Sequence, residues 1–235
     1  MPTPRIALFA YNFPHKKTQD FLFRLLLENF NVAAILAADP VKLNIPSSTI
    51  RTKLRPASLV HPRHIADRFD IPYFVIPHNA LGISQIVKEH AIDLAVISGA
   101  RILKEATIEQ FPKGVINFHP GLVPEARGLD AMLWSIHGDI PLGITAHLID
   151  KKIDAGNILF KHTIALYPDD TLIDLAERLN ETQIEMIAPA IHLALEGKGE
   201  PVDPSTHYNG KMPPELESTI SGKLPSYLQR MLQRP

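Results

Sequence analysis

The chain has no cysteine. That excludes a disulfide scaffold, a thiolate zinc site, an iron–sulfur cluster and a cysteine nucleophile together. It has no excess of either charge: 24 Lys and Arg stand against 25 Asp and Glu, a formal net charge of −1. A nucleic-acid partner usually requires a basic surplus, so none is expected. No apolar run approaches the ~18 residues of a membrane span, and residues 1–5 do not read as a signal peptide. A cytoplasmic protein without a membrane partner is the expectation. Glycine is missing from residues 10–17, directly after the first apolar run. A dinucleotide-binding fold would place its G-x-G-x-x-G turn there, and without glycine the backbone cannot approach a pyrophosphate. NAD, FAD and Walker-type nucleotides are therefore disfavoured.

What is present is enough for one substantial domain. At 235 residues the chain fits one α/β domain with a C-terminal extension. Such a domain buries roughly 70% of its unfolded surface and needs no staples. The 21 prolines suggest stiff loops rather than disorder. The runs at 5–10, 31–37, 72–76, 93–97 and 114–118 are apolar apart from Arg5, Asn31, Asp93 and Asn117, as expected of strands buried on both faces. Helical stretches separate them at 18–29, 62–69, 82–90 and 107–111. This alternation predicts a doubly wound, Rossmann-like, mostly parallel sheet. Two later strands, 143–149 and 158–166, are too close for a helical crossover and should pair antiparallel. Residues 169–196 read as the longest helix, capped by Asp169 or Asp170 and ended by Gly197, with Pro189 kinking it or starting a new segment. The division expected is a catalytic domain at 1–198 and a Pro-rich C-terminal arm at 199–235, with a short helix near 227–232.

The chemistry-bearing residues crowd between Gly114 and Gly156. Asn117 and His119 fall at i and i+2 and so share one side of a strand, which Pro120 then ends. An amide and an imidazole thus project together at the carboxyl end of a central strand, where open α/β sheets bind ligands. A second cluster holds His147, Asp150 and Asp154. A carboxylate from it beside His119 would orient the imidazole and stabilise its charged form. Taken singly these residues have plainer roles: a hydrogen-bonded structural histidine, a loop asparagine, a turn aspartate, a packed core histidine. His15, Lys16 and Lys17 follow the first strand and read equally as an anion contact or as a solvated basic loop.

At these residues the chain resembles the folate-dependent formyltransferases. Asn117-Phe-His119-Pro-Gly-Leu-Val-Pro124-Glu-Ala-Arg127-Gly128 is similar to their N-x-H-P-S/G-L-L-P-x-x-R-G signature. Gly143-Ile-Thr-Ala-His147-x-x-Asp150-x-x-x-Asp154-Ala-Gly156, Trp134-Ser-Ile-His-Gly-Asp139 and Ser98-Gly-Ala-Arg101-Ile-Leu103 resemble three further motifs in the same order. The resemblance runs from about residue 93 to 166 and is weak outside it. It implies a catalytic trio of Asn117, His119 and Asp154. It also implies a pterin pocket lined by Arg101, Ile102 and Leu103 on one side. On the other side would lie His147 and the loop of Asp150, Lys151, Lys152 and Ile153. The implied donor is N10-formyltetrahydrofolate, the acceptor is an amine, and no metal is required.

Departures from the family narrow the acceptor. Purine-pathway members carry a Gly-rich phosphate cradle where this chain has residues 11–15, which argues against glycinamide ribonucleotide. Methionyl-tRNA formyltransferases are longer and basic. A small-molecule amine remains, an amino sugar on a nucleotide first, with a hydroxylated amino acid behind it. His15, Lys16 and Arg127 are the candidate acceptor contacts. Formyltetrahydrofolate hydrolysis would use the same trio. Outside the class stand a metal-dependent hydrolase using His119, His147, Asp150 and Asp154, and a non-catalytic ligand-binding module. A homodimer stays open.

Overall fold

The computed structural model describes residues 3–42, 44–55, 58–150, 156–201 and 208–234. In chain order the elements are β1 (Arg5–Tyr11), α1 (Lys16–Leu27), β2 (Asn31–Ala38), α2 (Pro62–Arg68), β3 (Tyr73–Val75), α3 (Ile83–Glu89), β4 (Leu94–Ile97), α4 (Glu105–Ile108) and β5 (Val115–His119). Then come α5 (Ala131–His137), β6 (Gly143–Leu148), β7 (Asn157–Thr163), α6 (Leu172–Glu185), α7 (Ile187–Leu195), β8 (Glu200–Pro201), α8 (Pro214–Glu217) and α9 (Ile220–Leu232).

All strands join one sheet in the order β3-β2-β1-β4-β5-β6-β7-β8. β3 to β5 run parallel, while β6, β7 and β8 each pair antiparallel with the strand before. Two of the apolar runs have the cause expected of them: residues 6–10 of β1 and 32–37 of β2 are buried on both faces; β3, at the sheet's edge, is not, and its Val75 is exposed. One face packs Phe21, Leu22 and Leu25 of α1 with Leu175, Ile187 and Ile191 of α6 and α7. The other packs Phe9 against Ile83, Val87, Leu103 and Phe111. Burying a side chain of that size contributes about 1.5–3 kcal/mol, so these two layers hold the strand ends that form the site.

Three local features need correction, and the expectation that Pro189 starts a new segment holds. The long helix is capped by Thr171, in a reciprocal capping box with Asp174. Asp169 and Asp170 do not cap it; the Asp170 carboxylate instead grips the Arg178 guanidinium with two bonds of 2.8 Å. The break falls at Met186, so Pro189 sits in the first turn of α7, where its missing N–H costs nothing. α5 was not read from the sequence; Asp130, at its N-cap position, has a φ of 50° and makes no capping bond. Its carboxylate is taken by Lys211 Nζ at 3.0 Å and Met212 N at 2.9 Å. The terminal helix begins at Ile220 and runs through Pro225. Ile220, Leu224, Tyr227, Leu228 and Met231 enter the same core as α1, and Tyr227 Oη donates to the Ile140 carbonyl at 2.9 Å.

A backbone junction joins the 120–130 loop to the C-terminal segment. Asn209 N donates to Arg127 O at 3.0 Å and Leu129 N to Asn209 O at 2.9 Å. Gly128 lies between them at φ 101°, where a Cβ would collide with the Asn209 backbone oxygen. Gly128→Ala should therefore incur about 1–3 kcal/mol of backbone strain and about 1 kcal/mol for each hydrogen bond pushed apart. A lowered urea midpoint at unchanged m value is the expected result. A midpoint equal to that of the parent protein refutes the junction's contribution.

Candidate active site

β1 and β4 lie side by side at the sheet's switch point, their chains leaving toward opposite edges. Ligands bind open α/β sheets in the crevice outside such strand ends. Tyr11, Ile97 and His119 end the three strands there.

β5 and β6 run antiparallel with Asn117 opposite His147 and His119 opposite Thr145. The period of two puts all four side chains on one face. Asn117 Nδ2 donates to His147 Nε2 at 3.2 Å. An amide nitrogen cannot accept, so the His147 ring proton sits on Nδ1. The second N–H of the Asn117 amide remains to be directed elsewhere. His119 Nε2 meets the Ala126 carbonyl at 2.7 Å. A carbonyl only accepts, so Nε2 carries a hydrogen. Thr145 ties down the loop supplying that carbonyl: its hydroxyl donates to Gly121 O at 2.8 Å and accepts from Val123 N at 3.0 Å. His119, Thr145 and His147 are buried.

The β1–α1 loop forms the next wall. Tyr11 stacks on Phe13 at 5.1 Å and meets the edge of His15 at 5.3 Å, and its hydroxyl donates to Ala100 O at 3.1 Å. Gly99 is required beneath it, since a Cβ there would lie 2.7 Å from the Tyr11 ring. His15 Nδ1 pairs with Thr18 Oγ1 at 2.9 Å. Burial, then the fields of Lys17 and Lys53, push His15 down to about 4 against the opposing field of Asp20, so it is neutral at pH 7. Lys16 turns away, onto Asp20 at 2.8 Å and Glu177 at 3.3 Å. Lys17 points to the Phe118 carbonyl at 3.4 Å, and burial lowers its pKa to about 8.

The segment after β4 adjoins this loop. Arg101 Nη2 donates to Val41 O at 3.1 Å, Leu103 is buried and Ile102 is exposed. One side chain sets this segment's path: Asn79 Nδ2 donates to Ile102 O at 3.0 Å, and Asn79 Oδ1 accepts from Lys104 N at 2.7 Å and Thr107 Oγ1 at 3.0 Å. Next to it, buried His78 directs Nε2 to Ala10 O at 2.9 Å and Leu36 O at 3.1 Å, its pKa lowered chiefly by burial. Sequence reading missed Asn79 and His78. The available signal was a polar pair directly after β3 in an otherwise apolar stretch.

Among the residues expected at the site, Asn117, His119 and His147 come together. Arg101, Ile102 and Leu103 follow the end of β4, the strand beside β5. Arg127 is buried, with its carbonyl held by Asn209. Asp150 is exposed just past β6. Lys151, Lys152, Ile153 and Asp154 lie outside the described residues. Gly156, at φ 99°, packs so tightly on Leu148 O that no Cβ fits. Among the described residues no three His, Asp or Glu converge as metal ligands. Nε2 of both His119 and His147 is already engaged within the protein. A separate open cavity of about 430 Å³, between the start of α6 and α9, contains none of these residues.

A family model described as formyl transferase matches residues 62–191, more than half of the chain. A methionyl-tRNA formyltransferase of Desulforamulus reducens is 31% identical over 115 residues, covering 48% of this chain and 36% of that protein. The chain thus spans about a third of that relative's length. The crystal structure of a phosphoribosylglycinamide formyltransferase from Anaplasma phagocytophilum superimposes with a TM-score of 0.64 at 20% identity, covering 91% of this chain and 96% of that one. The formyltransferase PseJ from Anoxybacillus kamchatkensis was solved with UDP-4,6-dideoxy-4-formamido-L-AltNAc and tetrahydrofolate. It superimposes with a TM-score of 0.57 at 23% identity, covering 88% and 86%.

Proposed function

The chain belongs to the formyl transferase family, and from that premise we propose that it moves a formyl group from N10-formyltetrahydrofolate to the primary amine of a small molecule, an amino sugar carried on a nucleotide. The observation that carries this reading is the placing of the Asn117 amide and the His119 imidazole on one face at the carboxyl end of β5, the strand next to switch-point strand β4. Formyl transfer needs two hydrogen-bond donors there and no covalent intermediate.

The chemistry follows from those groups. The unprotonated amine attacks the formyl carbon, forming a C–N bond and a tetrahedral oxyanion. The free N–H of Asn117 and the Nδ1–H of protonated His119 donate to that oxygen. The carbon–N10 bond then breaks, the carbonyl re-forms, and the proton lost by the amine ends on N10. Asp154 favours the charged imidazole and relays that proton through water. The donor's pterin lies against Arg101, Ile102 and Leu103, with His147, Asp150 and the residues 151–153 opposite. Holding both substrates in line supplies about 7–11 kcal/mol of the barrier reduction.

The acceptor reading rests on the loop after β1. Rings at Tyr11 and Phe13, stacked at 5.1 Å, stand where a phosphate cradle would need glycines. Flat rings suit the apolar face of a sugar or a base. A net charge of −1 disfavours tRNA. His15 and Arg127 are the acceptor contacts to test. Lys16, bound to two carboxylates, is the weaker third.

Calorimetric titration with N10-formyltetrahydrofolate or a stable analogue tests the donor. Micromolar binding is expected, weakened at least ~10-fold in Arg101→Ala, which removes a charged hydrogen-bonding group. Formylation of amino-sugar nucleotides over free amino acids then tests the acceptor. Absence of binding both with and without amines overturns the reading.

A further inference from the structure

We infer that Lys17 is a positioning residue for the transfer site: its ammonium stands in for a missing strand partner at the Phe118 carbonyl and so fixes the backbone that aims Asn117 and His119. The inference rests on reading that pair as the site of formyl transfer.

The register shows the missing partner. Ala95 N donates to Gly114 O at 3.1 Å, and β4 continues beside β5 through Val96↔Ile116. Donors in a parallel ladder recur every two residues, so Gly99 N would fall to Phe118 O. It does not. The chain turns at Ser98, and both Ser98 N and Gly99 N donate to Phe9 O on β1, at 3.0 and 3.1 Å. The Ser98 hydroxyl goes the same way, at 2.8 Å. β4 and β5 therefore part company at the level of the site. Phe118, between the two proposed oxyanion donors, is left facing the gap, and Lys17 Nζ reaches its carbonyl from α1 at 3.4 Å.

The lysine is held there by packing. Its Nζ lies 5.0 Å from the centre of the Phe21 ring, and Phe21 stands edge-on to Phe118 at 5.4 Å. Among the described residues no carboxylate forms an ion pair with it, because Asp20 and Glu177 are taken by Lys16. The charged and titratable groups on the elements around it are His15 in the β1–α1 loop, Lys16 and Asp20 on α1, His119 on β5, Glu177 on α6, and Lys53 and Arg101 on the neighbouring loops. Desolvation brings the ammonium within reach of titration, at about 8. A rigid, charged donor at one peptide can hold both flanking side chains to the tolerance that in-line transfer demands, where an error of 1 Å costs about a hundredfold.

Lys17→Met keeps the stem and removes the charge. It should lower kcat about tenfold or more and leave the donor KM within about twofold. Lys17→Arg should recover most of the loss. In the parent protein kcat should fall as pH rises through about 8, and in Lys17→Arg that limb should move to higher pH. A second readout is independent of the reaction. With a 13C label on the Phe118 carbonyl, its shift should titrate near the same pH and stay flat in Lys17→Met. A flat carbonyl in the parent protein, or Lys17→Met with kcat within twofold and the same pH profile, overturns the inference. A parent protein inactive with every amine tested sinks the formyl-transfer reading, whereas the carbonyl titration decides the contact on its own.

Discussion

Asn117→Ala is expected to lower kcat for formyl transfer by about 10²–10³, or about 2.7–4 kcal/mol of barrier, the usual consequence of deleting one oxyanion donor. The size of the loss follows from where the donor sits. The amide is held by the histidine across the strand pair, at 3.2 Å, so its remaining N–H is pre-aimed and needs no reorganisation when charge develops. The donor KM should barely move, because the ground-state carbonyl oxygen carries little charge and gains little from the amide. Global stability should fall by only about 1 kcal/mol for the bond to His147. A rate loss much larger than the stability loss separates transition-state stabilisation from support of the fold. Single-turnover rates with saturating donor and amine, compared with urea midpoints, measure both. A kcat within fivefold of the parent removes Asn117 from the oxyanion site.

The fold was legible where burial is symmetrical. β1, β2 and β4 bury both faces, so their runs are apolar without alternation. The antiparallel return of β6 and β7 followed from the short connection between them. α5 and the first half of α9 were not legible, because each depends on partners far along the chain. The side chain that would announce α5, Asp130, is spent on Lys211 and Met212, 81 and 82 residues away. α9 carries Gly222 and Pro225 in its first half, and burial of Leu224 and Tyr227 in the main core outweighs their poor local propensity.

The site divides along the same line. Asn117 and His119 were visible because i and i+2 on a strand is a local relation. The pairing of Asn117 with His147 needed the β5–β6 register, and the tie from Asn79 to residues 102–107 spans more than 20 positions. The basic cluster at 15–17 had looked uniform. The structure separates it into a neutral imidazole, a lysine paired with two carboxylates and a lysine turned to the Phe118 carbonyl. No pattern in three consecutive residues distinguishes those fates, because each is decided by a partner elsewhere in the chain. Asp154 stood in the second cluster by its sequence, and the resemblance alone chose it over Asp150.

His119→Ala is expected to reduce kcat by about 10³, the upper end of the range for one donor, since the imidazole offers a charged donor and charge-assisted hydrogen bonds are roughly twice as strong as neutral ones. Alanine also removes the 2.7 Å bond to Ala126 O and so loosens the 120–126 loop, which confounds the reading. His119→Gln resolves this. A glutamine amide can still donate to Ala126 O but cannot take up a proton. If His119 acts through its charge, Gln should be nearly as slow as Ala while keeping the parent's stability; if it only anchors the loop, Gln should restore the rate. Combining His119→Ala with Asn117→Ala should cost far less than the product of the two single losses, because residues that serve one oxyanion act as a unit. Full multiplication of the two effects would instead mean that the amide and the imidazole serve separate steps.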